Sequence, residues 1–414
     1  MVESIGQTVE SAGPMTAVGE CCEIVDRSHR THPAEVIGFR GSHVLSMPVE
    51  TTDGIRFGDP VTALGTYPEI AVGYELVGRV LNASGQAIEG TALPNISLTR
   101  PVGGTLRTPL ERIAIRTALS TGVRAIDGLL TVGRGQRIGI FGGSGVGKST
   151  LIGMMTQNTD ADLTVVGLVG ERGREVGEFL DNSLGEKGRA RSVVVVSTSD
   201  QSPLMRLRAA LAATTIAEHF AELGKNVLLV LDSLTRFAMA AREIGLAAGE
   251  PPTAKGYTPS VFARLAKLVE RAGNFRAGSI TAFYTVLMEG DDLQDPLVDA
   301  VRSLLDGHVV LSRALTGESW YPPVDVLNSI SRLMPAVTAV EHREHAALFR
   351  KLLAVHARSE DLVRIGAYRA GADPELDRAL NARDRMRAYL TQDATECCSL
   401  HDSVKRLAAL ISEI

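Results

Sequence analysis

The sequence predicts an α/β protein: a parallel sheet flanked by helices, preceded by a small all-β unit and followed by a helical one. Three observations carry that prediction. Between about residues 110 and 335, short continuous apolar runs alternate with stretches at helical spacing, as expected of strands covered on both faces. Before that region the chain is Val- and Gly-rich, alternates with period two and is cut by turn clusters. After Pro335 it becomes Leu-, Ala- and Arg-rich at helical spacing, with Pro374 the only later proline.

Taken in order, residues 1–95 are expected to form a β-barrel or sandwich. Ala34–Phe39, His43–Met47 and Glu75–Leu81 are strand candidates, and Asp53-Gly54 and Ser84-Gly85 are turns. A connector from Pro94 to Pro109 breaks the texture. Residues 96–345 hold the sheet, with strands expected at Arg137–Phe141, Leu163–Val169, Ser192–Ser197, Val227–Leu231, Ile280–Leu287 and His308–Leu311. Residues 346–414 form the helical unit. With 414 residues, core size is no constraint.

Composition excludes several classes. The net charge of −5 leaves no overall footprint for nucleic acid. No apolar run reaches about 18 residues and no secretory signal pattern follows Met1. The four cysteines form two adjacent pairs, Cys21-Cys22 and Cys397-Cys398, without metal spacing, so reduced thiols are expected.

The chemistry centres on Gly142-Gly143-Ser144-Gly145-Val146-Gly147-Lys148-Ser149, which fits G-x-x-x-x-G-K-[ST]. A polyphosphate needs many inward N–H donors, and a chain with little side-chain bulk can wrap that closely. Lys148 suits the β- and γ-phosphates, and the Ser149 hydroxyl suits Mg²⁺. A short strand leads in, and a helix from Thr150 leads out with its positive end toward the anion. Asp232 ends the apolar run Val227–Leu231 and offers a carboxylate for the Mg²⁺ shell; it is equally placed to cap the next helix. Glu171 follows the strand around Val165–Val169 and would reach the same rim as a polariser of water, although Glu175 and Glu178 stand in the same charged loop. Arg332, after Ser329-Ile330-Ser331, reads either as a surface arginine or as a finger donated to a neighbouring subunit.

The chain resembles the hexameric ATPases of type III protein export, which serve flagellar and injectisome assembly, and more distantly the catalytic beta subunit of rotary ATP synthase. The likeness rests on Phe141–Thr150, Gly170-Glu171-Arg172-Gly173-Arg174-Glu175-Val176 and Leu231-Asp232-Ser233-Leu234-Thr235-Arg236-Phe237-Ala238. It continues through Gly256–Phe262, Thr281–Leu287, Glu289-Gly290-Asp291-Asp292, Leu305–His308 and Tyr321-Pro322-Pro323-Val324-Asp325, and then Ser329–Arg332, Ile365–Tyr368 and Asp373–Asp377.

That resemblance implies a RecA-like P-loop core with an N-terminal β-barrel and a C-terminal helical domain, binding ATP and Mg²⁺. It makes Glu171 the catalytic carboxylate, Arg332 an arginine finger acting across the subunit interface and Arg172 either a γ-phosphate contact or a structural partner. Arg236 falls near the γ-phosphate. Tyr321 packs on adenine, and Tyr389 closes that pocket from the helical tail. Trp320, directly before Tyr321, is expected near the nucleotide. The implied partners are five further copies in a homo-hexamer, export-gate membrane proteins, a stalk protein, a regulator, and export chaperones with their cargo. The implied place is the cytoplasm, at the periphery of the inner face of the bacterial plasma membrane. The flagellar and injectisome branches share the motifs quoted. Two other classes compete: a catalytic rotary subunit, and a ring-shaped RNA-translocating helicase. The Glu289–Asp292 element and the tail length favour export over the first. The lack of basic, aromatic-interleaved strands in residues 1–95 counts against the second.

Overall fold

The computed structural model describes the chain except residues 2, 91, 95, 105, 106, 289, 291, 293 and 294. Glu289 and Asp291 of the Glu289–Asp292 element thus lie outside the described residues. Among the described residues, strands Glu3–Ile5, Thr8–Ser11, Cys21–Val25, Thr31–Arg40, His43–Pro48 and Val61–Ala63 form one antiparallel sheet. It closes over a small core of Val9, Cys22, Ile24, Ala34, Val36 and Val44. The alternation of buried and open residues along Thr31–Arg40 reflects a strand with one face inward.

The second sheet, nine-stranded among the described residues, is the frame of the molecule. Its strands are β1 (Val80–Asn82), β2 (Arg137–Gly142), β3 (Leu163–Glu171), β4 (Ser192–Thr198), β5 (Asn226–Asp232), β6 (Gly273–Asn274), β7 (Ser279–Leu287), β8 (Gly307–Leu311) and β9 (Val324–Ser331). They lie in the order β9-β8-β2-β7-β5-β3-β4-β1, with β6 paired to β7. All pairings are parallel except β8 with β9 and β6 with β7.

The apolar runs are buried on both faces, as their composition requires. In β3, Leu163, Val165 and Val169 face a core shared with helix α2 (Pro203–Glu222), while Val166 and Leu168 face one shared with helix α1 (Lys148–Asn158). The second core continues into helices α4 (Val340–Arg364), α5 (Pro374–Leu390) and α6 (Leu400–Ser412) through Phe349, Leu352, Met386 and Leu407. Helix α3 (Leu234–Ala247) follows β5, with Ser233 accepting the Arg236 N–H as its cap.

Two expectations are corrected. The Glu75–Leu81 run is not a barrel strand. A short helical turn at Tyr74–Leu76 and Gly78, at φ +85°, interrupt it, and Val80–Asn82 becomes the edge strand β1 beside β4. Val80 and Leu81 are buried there, so an apolar pair that looked like barrel core serves the main sheet. Strand β9 was not among the expected strands: its exposed Leu327, Asn328 and Ile330 break the continuous apolar pattern, because it is an antiparallel edge.

Candidate active site

The phosphate loop and the two carboxylates expected beside it emerge at the carboxyl ends of parallel strands, where open α/β sheets bind ligands. The loop leaves β2, Glu171 ends β3 and Asp232 ends β5. Gly145 and Gly147 sit at φ +78° and +89°, the left-handed region that glycine adopts without strain. Val146 is buried and anchors the loop from below. Gly147 starts α1 without a side-chain cap, which leaves the first-turn N–H groups to an anion.

A cleft of about 260 Å³ opens over this loop. Gly143, Ser144, Gly145, Gly147, Lys148, Ser149, Thr150, Glu171, Arg172 and Arg236 all line it, so the structure brings together these residues expected from sequence. Gly142 remains buried at the end of β2. Lys148 Nζ donates to Asp232 Oδ1 at 2.5 Å and stands 3.8 Å from Glu171 Oε1. Asp232 also accepts the Thr285 hydroxyl at 2.7 Å. Arg236 Nε lies 3.7 Å from Glu171 Oε1, a charge contact too long for a hydrogen bond. Arg172 is exposed and donates to Glu175 Oε1 at 3.2 Å, at the rim.

Glu171 is aimed by its backbone. The pairing of β3 with β4 slips between Val169 and Glu171, and Gly170 between them has φ +70°. A side chain at Gly170 would meet the Arg236 Cδ at 2.8 Å. Burial pushes the Glu171 carboxyl up to about 7, and the Asp232 charge adds to the rise; Lys148 opposes it. A carboxylate titrating near neutrality is matched to accepting a proton from water.

Tyr321 is 48% exposed and faces a second cleft of about 320 Å³, which shares Gly147 and Thr150 with the first. Its other walls include Leu151, Met154, Pro323 and residues 392–394. Tyr389 is not part of it. The ring is 5% exposed, packs at 5.5 Å from the Phe349 ring and donates its hydroxyl to the Ser403 carbonyl at 3.1 Å. An interior phenol needs that partner, so Tyr389 is a core residue, and the chain just after it supplies the wall. Trp320 also turns away: it lines a separate cavity of about 400 Å³ with Leu315, Leu353 and Met386, and Arg387 lies 5.6 Å over its ring.

Arg332 stands apart from both clefts. It follows β9, which runs antiparallel to β8, so Val324 lies opposite Leu311 at the loop end and Ser331 opposite Gly307 at the other. Its N–H donates to the Asp306 carbonyl, and the Asp306 N–H donates to that of Arg137, the first residue of β2. From Arg137 to Gly142 is five strand steps, about 17 Å, beyond an arginine side chain's span.

The family models match in the same three parts. The ATP synthase alpha/beta family nucleotide-binding domain matches residues 122–331, and that family's beta-barrel domain matches 1–65. The chain belongs to the ATP synthase alpha/beta family. A third model, the T3SS EscN ATPase C-terminal domain, matches residues 338–409 and narrows the branch. Among curated relatives of this family member, the flagellum-specific ATP synthase of Treponema pallidum is 52% identical, over 98% of this chain and 91% of its own. The type 3 secretion system ATPase of Sinorhizobium fredii is 45% identical over 100% and 92%. The assembled ATPase EscN of enteropathogenic E. coli superposes with a TM-score of 0.94 at 43% identity, each chain 99% covered. The chain is an ATPase of the flagellar and type III secretion branch, and these relatives favour export over the rotary and RNA-translocating classes.

Sequence reasoning missed Thr285, which holds the Asp232 carboxylate, and the wall of the Tyr321 cleft at 392–394. It missed Glu175 as a cleft residue, though it lies four residues after Glu171 and lines the cleft. Thr285 sits in the Thr281–Leu287 run already singled out; nothing local marks residues 392–394.

Proposed function

We propose that the chain works as a homo-hexameric ring hydrolysing ATP·Mg²⁺ between neighbouring subunits, and that the ring powers release, unfolding and export of secreted proteins. It would act in the cytoplasm at the inner face of the plasma membrane, beside the export gate. One subunit gives the loop, Lys148 and Glu171; the next gives Arg332. The observation that carries this reading is the separation of Arg332 from its own phosphate cleft by the length of β2. A finger placed there serves only another copy's site. The relatives lend support: EscN has been seen assembled, and in complex with its central stalk EscO. A stalk protein, a regulator and export chaperones with cargo are the corresponding partners here. Among the described residues no helix is long and apolar enough to cross a membrane, so contact with the membrane is peripheral in this reading.

The donor set fits Mg²⁺. The Ser149 hydroxyl lines the cleft, and the Asp232 carboxylate lies beneath it, held by a lysine and a threonine that leave it oriented. Ser149 directly and Asp232 through water would hold the ion, which when bound neutralises charge on the β- and γ-phosphate oxygens. Lys148 binds the phosphates from the loop side. Glu171 orients and polarises the attacking water, with Arg236 beside it and Arg172 at the rim. The neighbouring subunit's finger stabilises the γ-phosphoryl charge. Tyr321 takes the adenine face.

Replacing Arg332 by alanine tests the reading. Nucleotide binding is expected to persist, while turnover in assembled rings falls by about 10³-fold or more, the usual weight of an arginine finger. Wild-type specific activity should rise with protein concentration as rings form on a sizing column. Full activity of the variant in intact rings would reject the shared site.

A further inference from the structure

Residues 392–394, one wall of the Tyr321 cleft, belong to the irregular chain between α5 and α6. The last turn of α5 and the residue after it leave carbonyls without helix donors. Arg124, 4% exposed, serves two of them. Its Nε donates to the Tyr389 carbonyl at 2.7 Å, its Nη2 to the Thr391 carbonyl at 2.6 Å and its Nη1 to Glu396 Oε1 at 2.8 Å. Its backbone N–H donates to Gln392 Oε1 at 2.8 Å. Gln392, also 4% exposed, returns Nε2 to the carbonyls of Gly122 and Glu396 at 2.8 and 2.9 Å. The Gln392 N–H then donates to the Tyr321 carbonyl at 2.8 Å. The Gly122 end is fixed in turn. Buried Asp127 accepts the Thr121 and Gly122 N–H groups at 2.8 and 3.2 Å.

One guanidinium therefore ties the short helix Arg124–Leu129 to the chain on both sides of the wall, and one amide ties the wall to the tyrosine. Arg124 lines neither cleft. We propose that Arg124 is a positioning residue for the nucleotide base: through the Tyr389 and Thr391 carbonyls its guanidinium sets the distance between the 392–394 wall and Tyr321 and so sets affinity for the purine. The triphosphate end, built from the ends of β2, β3 and β5, does not depend on it. The inference rests on reading the Tyr321 cleft as the base site. Arginine suits the task because its planar fork serves two carbonyls and a carboxylate at once; an ammonium at the end of a flexible stem does not.

The test compares wild type with Arg124→Lys and with Glu396→Gln, a partly exposed change that takes the charge from one anchor of the fork without touching the core. ATP turnover gives KM and kcat. Inorganic tripolyphosphate, which carries the phosphates without a base, is the competing inhibitor. Arg124→Lys is expected to raise KM for ATP about tenfold, the worth of one or two hydrogen bonds. Glu396→Gln should raise it less. In both, kcat at saturation stays within about twofold of wild type and the tripolyphosphate inhibition constant is unchanged. An unchanged KM in both variants overturns the proposal, and so does a tripolyphosphate constant that rises in step with KM, which marks general damage. Should Arg124→Lys not fold, Glu396→Gln alone decides between these outcomes. If the wild-type chain does not turn ATP over, the functional reading falls and takes this proposal with it. If it does and the variants match it, only the proposal falls.

Discussion

The two ends of the nucleotide site are built on different principles. At the phosphate end, each group comes from the end of a parallel strand, and the neighbours in space are short motifs in sequence. The loop and Glu171 line one cleft, with Asp232 bonded to Lys148 of that loop, because the sheet brings the carboxyl ends of β2, β3 and β5 to one edge. At the end proposed for the base, the walls come from Gly147 and the first turns of α1, the chain before β9 and the chain after α5. They are held by hydrogen bonds between residues as far apart as Gly122 and Gln392. The lesson is that charge can be placed by a local motif, whereas the shape of an apolar slot is set by distant backbone contacts. The phosphate end should therefore fail through lost chemistry, and the base end through lost affinity.

The sharpest cut is Glu171→Gln. It keeps the volume and removes the proton acceptor, so kcat is expected to fall about 10²–10⁴-fold while ATP binding persists, measured by steady-state turnover beside equilibrium binding. A variant that binds and still turns over at the wild-type rate would move the catalytic carboxylate elsewhere. At the other end, Tyr321→Ala removes a half-exposed ring, and KM for ATP should rise about tenfold with kcat little changed. A fall in kcat with constant KM would erase the distinction between the two ends.

The smallest effect concerns stability. In the folded chain Glu171 titrates at about 7, above its ordinary value of 4.5, chiefly because it is buried. The folded state therefore holds a proton that the unfolded chain has released, and wild-type stability declines as pH rises from about 4.5 through 7. Glutamine carries no such dependence. The melting temperature of Glu171→Gln relative to wild type should thus increase from pH 5 to pH 8. A difference independent of pH would show that the carboxyl is not strained by its site.

The same contrast explains what was legible in the sequence. The continuous apolar runs announced the parallel strands because burial on both faces leaves no room for polar alternation. The Gly-rich loop and the acids at strand ends were readable because their chemistry fixes residue type and spacing together. Val80 and Leu81 were read within the Glu75–Leu81 barrel run because their apolar side chains suit either sheet, and only the parallel partner Val194–Val196 gives them a place. Tyr389 was placed in the pocket by the resemblance alone, since the sequence does not show which way an aromatic ring near the end of a helix turns. Its hydroxyl found the Ser403 carbonyl instead. Arg124 carried no signal, since a buried arginine is recognisable only once the carbonyls it serves have been folded around it.

The central claim is that a working site takes residues from two copies of the chain. Mixing inactive Arg332→Ala and Glu171→Gln proteins before ring assembly measures this most directly. Where a Glu171-bearing cleft meets a neighbour that retains Arg332, both halves are intact, so the mixed rings should recover ATPase activity that neither protein shows alone. Mixed rings of normal size that remain as inactive as their parents would contradict the account.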